Sequence, residues 1–181
     1  VTGATYLITE VQANIAAGKA DEAGRKLYLA GLVAPGSYSR YPEYEARIRV
    51  AVLWDHAKTM DKTEVRRIYD EAMAYLKEAE RLNPAFTSIW DLRARMNYAV
   101  NGIIINDGHE IAIRELVRVI EANPLSADAR VALAQMLQAR GDLAAAIAVL
   151  EQGVTWPRPK GRPDVMFLVT LAKFKEQAGD K

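Results

Sequence analysis

The two histidines are the side chains best suited to metal binding or proton transfer, because the chain contains no cysteine. The lack of cysteine excludes disulfides, thiolate metal sites and cysteine nucleophiles. His109-Glu110 begins like the helix of a zinc protease, but Ile113 stands where that motif requires its second histidine. We therefore expect structural roles for both histidines, with His56 on a helix face and His109 near a helix start. No metal site is predicted.

Glycines and carboxylates show no catalytic pattern either. The 11 glycines include the isolated Gly3 and Gly161 but form no phosphate-binding motif. Carboxylates such as Glu78 and Glu80 are abundant on the predicted helices, where such residues normally form solvated faces with partners four residues away. The sequence therefore predicts no cofactor and no enzyme active site.

A polar stripe is formed by Arg93, Asn97 and Asn101, which follow one another at intervals of four residues. This spacing places the three side chains on one face of a helix. They form either a hydrogen-bonding site or the solvent-facing side of a long helix. We favour the solvent-facing interpretation.

Two further clusters have alternative interpretations. The basic segment from Trp156 to Pro163 either contacts an anion or forms a stiff, hydrated proline-rich loop. Tyr38, Tyr41 and Tyr44 surround Arg40, and they form either an interface or the packing of a connector onto the next helix. We favour the loop and the packing, respectively.

The composition is that of a globular chain with balanced charge. Its 181 residues are 50% apolar, and 24 Lys and Arg oppose 23 Asp and Glu, so no nucleic-acid partner is expected. The longest apolar runs, such as Val165–Val169, are too short to cross a bilayer. The chain begins at Val1 without a Met or a signal pattern, so we expect a mature form or a part of a longer protein. Cytoplasmic and periplasmic locations both remain open.

One pattern occurs four times: an alanine, an apolar residue four positions later, and a small residue three positions after that. This spacing places the three side chains on one stripe of a helix. The copies are Ala23-Leu27-Ala30, Ala72-Leu76-Ala79, Ala112-Leu116-Val119 and Ala146-Leu150-Gly153. The anchoring alanines lie 49, 40 and 34 residues apart, and each such period has room for two helices and two turns. Pro35, Pro84 and Pro124 follow the first three copies and end their helices.

The segment from Ser126 to Val154 resembles a tetratricopeptide repeat (TPR). Leu133-Ala134 and Leu137 match its first helix, Gly141-Asp142 its turn, and Leu143, Ala146, Leu150 and Gly153 its second helix. The endings Arg81–Pro84 and Glu121–Pro124 are also typical of the family. The resemblance implies an all-α, right-handed superhelical solenoid of antiparallel helix pairs, with about four and a half divergent repeats. Repeats two and three are longer than the family's unit, with surplus residues around 58–62 and 102–108 that form extended helices or long turns.

We predict nine helices, no strand and a single domain spanning residues 1–181. The repeats are expected at about 4–35, 43–84, 86–124 and 126–157, followed by a capping helix at 164–178 with Asp164 as its N-cap. The predicted helices are 4–17, 20–33, 43–59, 63–82, 86–103, 109–122, 127–140 and 143–154, before the cap.

Family members line their concave surface with the first helix of each pair, and the resemblance implies twelve partner-binding candidates. They are Tyr6, Thr9, Ile48, Val52, Asp55, His56, Asp91, Arg95, Tyr98, Val131, Gln135 and Gln138. Ile48, Asp91 and Val131 stand where one subgroup has the Lys and Asn that grip a peptide carboxylate, so no such clamp is expected.

The leading functional hypothesis is a non-enzymatic scaffold that binds a peptide or protein segment in this groove. An alternative is an extracytoplasmic accessory domain of a larger membrane enzyme, such as a glycan polymerase or ligase. A third possibility is self-association into a homo-oligomer through an exposed terminal repeat.

Overall fold

The computed structural model describes residues 3–34, 40–155 and 165–179, and this part of the chain folds into nine α-helices. Their bounds are α1 Gly3–Ala16, α2 Ala20–Val33, α3 Tyr41–His56, α4 Lys62–Leu82, α5 Thr87–Ala99, α6 Gly108–Ala122, α7 Ala127–Ala139, α8 Leu143–Thr155 and α9 Val165–Ala178. Within these described ranges no helix is long and apolar enough to span a bilayer. Tyr38, the segment from Trp156 to Pro163 and Asp164 lie outside the described residues.

Local signals place the helix ends. The Asp61 side chain accepts a hydrogen bond from the Thr63 amide at 2.8 Å and caps α4, and Ser126 caps α7 in the same way. Gly141 has a φ of 91°, which suits the tight turn between α7 and α8.

The helices pack as consecutive pairs, α1 with α2, α3 with α4, α5 with α6 and α7 with α8, and α9 covers α8 and α7. The anchoring alanines and the leucines that follow them are buried at the seams of these pairs. The seam pattern predicted from the sequence is therefore confirmed. At Gly153 a β-carbon would lie 2.6 Å from Cζ of Phe167, so the absence of a side chain lets α9 lie close against α8.

Two predicted helices are too long. The first helix of repeat two was predicted at 43–59, whereas α3 ends at His56. It also begins earlier than predicted, at Tyr41, because Pro42 is compatible with the first turn of a helix. The first helix of repeat three was predicted to reach 103, but α5 ends at Ala99. There Gly102 has a φ of 74° and its amide donates to the Ile105 carbonyl at 2.7 Å. The surplus of repeat three is therefore a turn, whereas repeat two combines a turn with the 21-residue α4.

The polar stripe on α5 is not solvent-facing, so the favoured interpretation was wrong. Asn97 is only 2% exposed, and Tyr69 of α4 donates a hydrogen bond to its side-chain oxygen at 3.1 Å. Arg93 forms ion pairs with Glu80 of α4 at 2.7 Å and with Glu115 of α6 at 3.4 Å. Arg93 and Asn97 are enclosed because α4 and α6 both pack against α5. Asn101 lies beyond the end of α5 and accepts a hydrogen bond from the His109 amide at 3.4 Å.

The tyrosines of the predicted connector that the structure describes contribute to packing, as favoured. Tyr44 is buried against the side chains of α1 and α2, and Tyr41 packs on the same cluster. Gln12 of α1 donates a hydrogen bond to the Tyr44 hydroxyl at 2.8 Å. These contacts join the first helix pair to the second.

Candidate binding groove

Three adjoining cavities lie along the face formed by the first helices of the pairs, and Trp54 borders all of them. The first cavity, about 360 Å³, lies between α1, α3 and α5. The second, about 480 Å³, lies among the C-terminal ends of α3 and α5 and the start of α6. The third, about 300 Å³, lies between α3, α5 and α7. We call these three cavities together the groove.

Three aromatic rings cross the groove from one helix pair to the next. The rings of Trp54 and Tyr98 are stacked, with their centroids 5.7 Å apart and their planes at 29°. The His109 ring meets Tyr98 edge-on at 5.0 Å, and its Nε2 lies 3.0 Å from the Met136 carbonyl oxygen of α7. Trp54 is 49% exposed although it is a large aromatic side chain. Exposed aromatic surface of this kind is favourable to cover with a partner.

Most of the positive charge in the groove is neutralised by the chain itself. Arg95 Nε lies 2.9 Å from Asp91 Oδ2, and Arg47 forms a 2.7 Å ion pair with Glu43. Glu43 is only 2% exposed and also accepts hydrogen bonds from Arg40 and from Ser88 of α5. Burial tends to raise the pKa of Glu43, but the hydrogen bonds from Arg40 and Arg47 outweigh burial and hold this pKa below its ordinary value.

Three charged side chains of the groove form no ion pair with any described residue. They are Asp55 in the first cavity, Lys58 in the second and Asp128 in the third. Asp55 and Lys58 are three residues apart on the chain but border different cavities. Their charges are therefore available to a bound molecule.

Half of the predicted partner-binding residues border the groove. Asp55, Asp91 and Arg95 border the first cavity, and Arg95, Tyr98, Val131 and Gln135 border the third. These six residues come from α3, α5 and α7, the first helices of pairs two to four. The structure thus brings them together on one surface.

The other six candidates lie elsewhere. Ile48 is only 8% exposed and packs in the core between α1, α2 and α3, so its side chain is not available on the surface. Val52 and His56 border a separate depression with Asn14 of α1 and Arg25 of α2. The remaining three are exposed: Tyr6 and Thr9 on α1, and Gln138 on α7, 3.5 Å from Gln177 of α9.

Sequence reasoning missed Trp54, Lys58, Asp128 and the contact of His109 with Tyr98. A signal for the first two was present, because Ala51, Trp54 and Lys58 have the spacing of one helix stripe. The stripe of Ala51, Trp54 and Lys58 faces the groove. It is shifted by one residue from the stripe that contains Val52 and His56. The role of His109 had no such signal, since it depends on how α6 approaches α5.

The chemistry available in the groove is aromatic contact, ion pairing and hydrogen bonding. In the described part of the chain no group of three or more His, Cys, Asp or Glu side chains is arranged to hold a metal ion. The lining combines apolar side chains, such as Ala51 and Val131, with charged ones. Such a mixture is suited to recognition of a polypeptide.

Comparison with solved structures identifies the fold. The chain is similar to TTC0263, a thermophilic TPR protein of Thermus thermophilus, with a TM-score of 0.62 and 16% identity over 95% of this chain and 98% of that one. It is also similar to MamA, with a TM-score of 0.55 and 17% identity over 94% of this chain and 85% of that one. No protein-family model and no curated protein matches the sequence. The chain therefore has the TPR fold, an all-α solenoid of paired helices.

Proposed function

We propose that this protein is an interaction module that binds an extended peptide segment of a partner protein in the groove. The observation that carries the proposal is the position of Trp54, which is half-exposed and borders all three cavities. Tryptophan and tyrosine side chains at the centre of an interface often supply most of its binding free energy. Trp54 and Tyr98 are placed to act as such a centre.

The shape of the groove favours an extended segment over a compact ligand. The cavities share lining residues. Arg95 borders both the first and the third cavity, and Tyr98 borders both the second and the third. A chain laid across them would place successive side chains in neighbouring cavities, since side chains alternate along an extended backbone. Apolar contact with Ala51, Val131 and the Trp54 ring would supply affinity, and the charged groups would fix the direction of the segment.

The test is selection of peptides from a random 12-residue library displayed on phage, followed by affinity measurements on the enriched peptides. We expect Trp54→Ala to weaken binding at least tenfold, about 1.4 kcal/mol, because truncating a central aromatic anchor usually costs more than this. Tyr28→Ala is the matched control, because Tyr28 is an exposed aromatic residue of α2 that does not border the groove. Circular dichroism checks that both variants keep their helices.

Two results would contradict the proposal. One is that the library yields no peptide that binds the wild-type protein above background. The other is that the enriched peptides bind Trp54→Ala and Tyr98→Ala as tightly as they bind the wild-type protein.

A further inference from the structure

Arginine side chains lie over aromatic rings at several places in this protein. Arg118 lies 4.5 Å from the ring centroid of Trp90, and Arg49 lies 4.5 Å from that of Tyr75. Arg40 lies 4.6 Å from the Phe86 ring. Trp54 differs from Trp90, because no cation of the described chain lies over it although it is half-exposed. Tryptophan has the most favourable ring for a cation–π interaction, and this one is unused.

Trp54 stacks on Tyr98 and also borders the first cavity, which Tyr98 does not line. The carboxylates of Asp55 and Asp91 border the same first cavity. Asp91 already pairs with Arg95, whereas Asp55 has no ion pair in the described structure. An open indole surface and an unpaired carboxylate therefore meet in one cavity.

Asp55 is the carboxylate of the first cavity that no described cation pairs with. Asp91 is paired with Arg95, and Glu43 is shared by Arg40 and Arg47. Asp128 borders the third cavity together with Tyr98, and it also has no ion pair among the described residues. The unpaired cation Lys58 borders the second cavity, which contains neither Asp55 nor Asp128. A positive charge bound in the first cavity would thus gain the Asp55 carboxylate and the Trp54 ring without displacing an internal ion pair.

We propose that the groove selects a basic peptide segment and that an arginine of this segment lies over Trp54 and pairs with Asp55. The proposal rests on the proposed function and specifies its partner. Arginine fits better than lysine, because a planar guanidinium can stack on an indole and donate two hydrogen bonds to a carboxylate. Lys58 orients the segment, because its ammonium repels a second basic side chain from the second cavity.

The same phage library tests the proposal through the composition of the enriched peptides. We expect Arg to be enriched among peptides whose binding requires Trp54. In a synthetic peptide from this set, replacing the arginine by citrulline, which keeps the shape but removes the charge, should weaken binding at least fivefold.

Variants of the protein supply the matching half of the test. Asp55→Asn should weaken binding of the arginine peptide at least fivefold. It should also remove most of the difference in affinity between the arginine and citrulline peptides. Asp128→Asn should have a smaller effect in the same direction. Asp70→Asn is the matched control, because Asp70 is an exposed carboxylate of α4 without an ion pair among the described residues and does not border the groove.

The outcomes separate the two proposals. Peptides that require Trp54 but are acidic or uncharged would overturn the selection of basic segments and leave groove binding in place. The same conclusion follows if citrulline and arginine peptides bind equally, or if Asp55→Asn behaves like Asp70→Asn. A library with no peptide that requires Trp54 would overturn both proposals.

Discussion

Single residues in this protein are constrained most strongly where helices approach one another closely. Gly108 opens α6, and a β-carbon on it would lie 2.3 Å from the backbone oxygen of Asn97. Gly24 lies in the middle of α2, and a β-carbon there would meet no atom within 4 Å. The two glycines therefore have opposite roles, one fixed by packing and the other free to be replaced.

We predict that Gly108→Ala destabilises the protein by roughly 2 kcal/mol, because α6 must move away from α5. Gly24→Ala should stabilise it by roughly 0.5–1 kcal/mol, because alanine loses less conformational freedom in a helix. Urea denaturation of both variants gives the two free energies of unfolding. Equal effects of the two substitutions would show that the close contact at Gly108 is relaxed in solution.

Helix elements are joined across repeats by buried polar groups as well as by apolar seams. Glu43 of α3 binds Arg40, Arg47 and Ser88, and Ser88 belongs to α5. The Glu80–Arg93–Glu115 network joins α4, α5 and α6 in the same way. These contacts fix the position of α5, which carries Asp91, Arg95 and Tyr98 into the groove.

We predict that Glu43→Gln destabilises the protein by about 3 kcal/mol at pH 7, because two arginines lose the charge of their buried partner. The pKa of Glu43 in the folded protein is lowered from its ordinary value of 4.5. Its stabilising effect is therefore fully present above pH 4.5 and is lost as the pH falls through the folded-state pKa.

Thermal unfolding of the wild-type protein and Glu43→Gln between about pH 3 and pH 7 measures this dependence. The difference in stability should be constant near neutral pH and shrink below pH 4.5. Glu78→Gln is a control, because Glu78 pairs with Arg81 on an exposed face and its replacement should change stability much less than Glu43→Gln does. A Glu43→Gln difference that stays constant down to the lowest pH would contradict the assigned role.

At the scale of the whole molecule, the core is divided into three clusters along the array. One joins α1 and α2 to α3, the second α3 and α4 to α5, and the third extends from α5 to α9. Stability in such arrays is a sum of repeat and neighbour terms, so damage at one end remains local. Phe167 of α9 is fully buried in the third cluster and closes that end.

We predict that Phe167→Ala lowers the free energy of local unfolding at this end of the array by roughly 3–5 kcal/mol, because it leaves a cavity under α9. Amide hydrogen exchange should accelerate in α7, α8 and α9 and remain unchanged in α1 and α2. Leu168→Ala is the control, because Leu168 is partly exposed on the same helix. Uniform acceleration along the chain would show that the array unfolds as one cooperative unit instead.

The sequence alone determined the number, order and pairing of the helices in the described part of the chain. The Ala–Leu–small pattern indicated the second helix of each pair, because residues at i, i+4 and i+7 share a helix face in any α-helix. The resemblance to the TPR family implied the first helices and the pairing. The same resemblance led to six of the residues that border the groove. Turn chemistry at Asp61 and Gly141 follows from local backbone preferences, which a sequence carries directly.

The tertiary structure decided which side of each helix faces the groove and which polar residues are buried. Trp54 and Tyr98 are far apart in the sequence, and their stacking depends on how α3 and α5 pack. Asn97 and Glu43 have the residue types of a surface, yet neighbouring helices enclose them. The physical reason is that the rotation between stacked pairs arises from the packing of many side chains at once, whereas residue spacing specifies only one helix at a time.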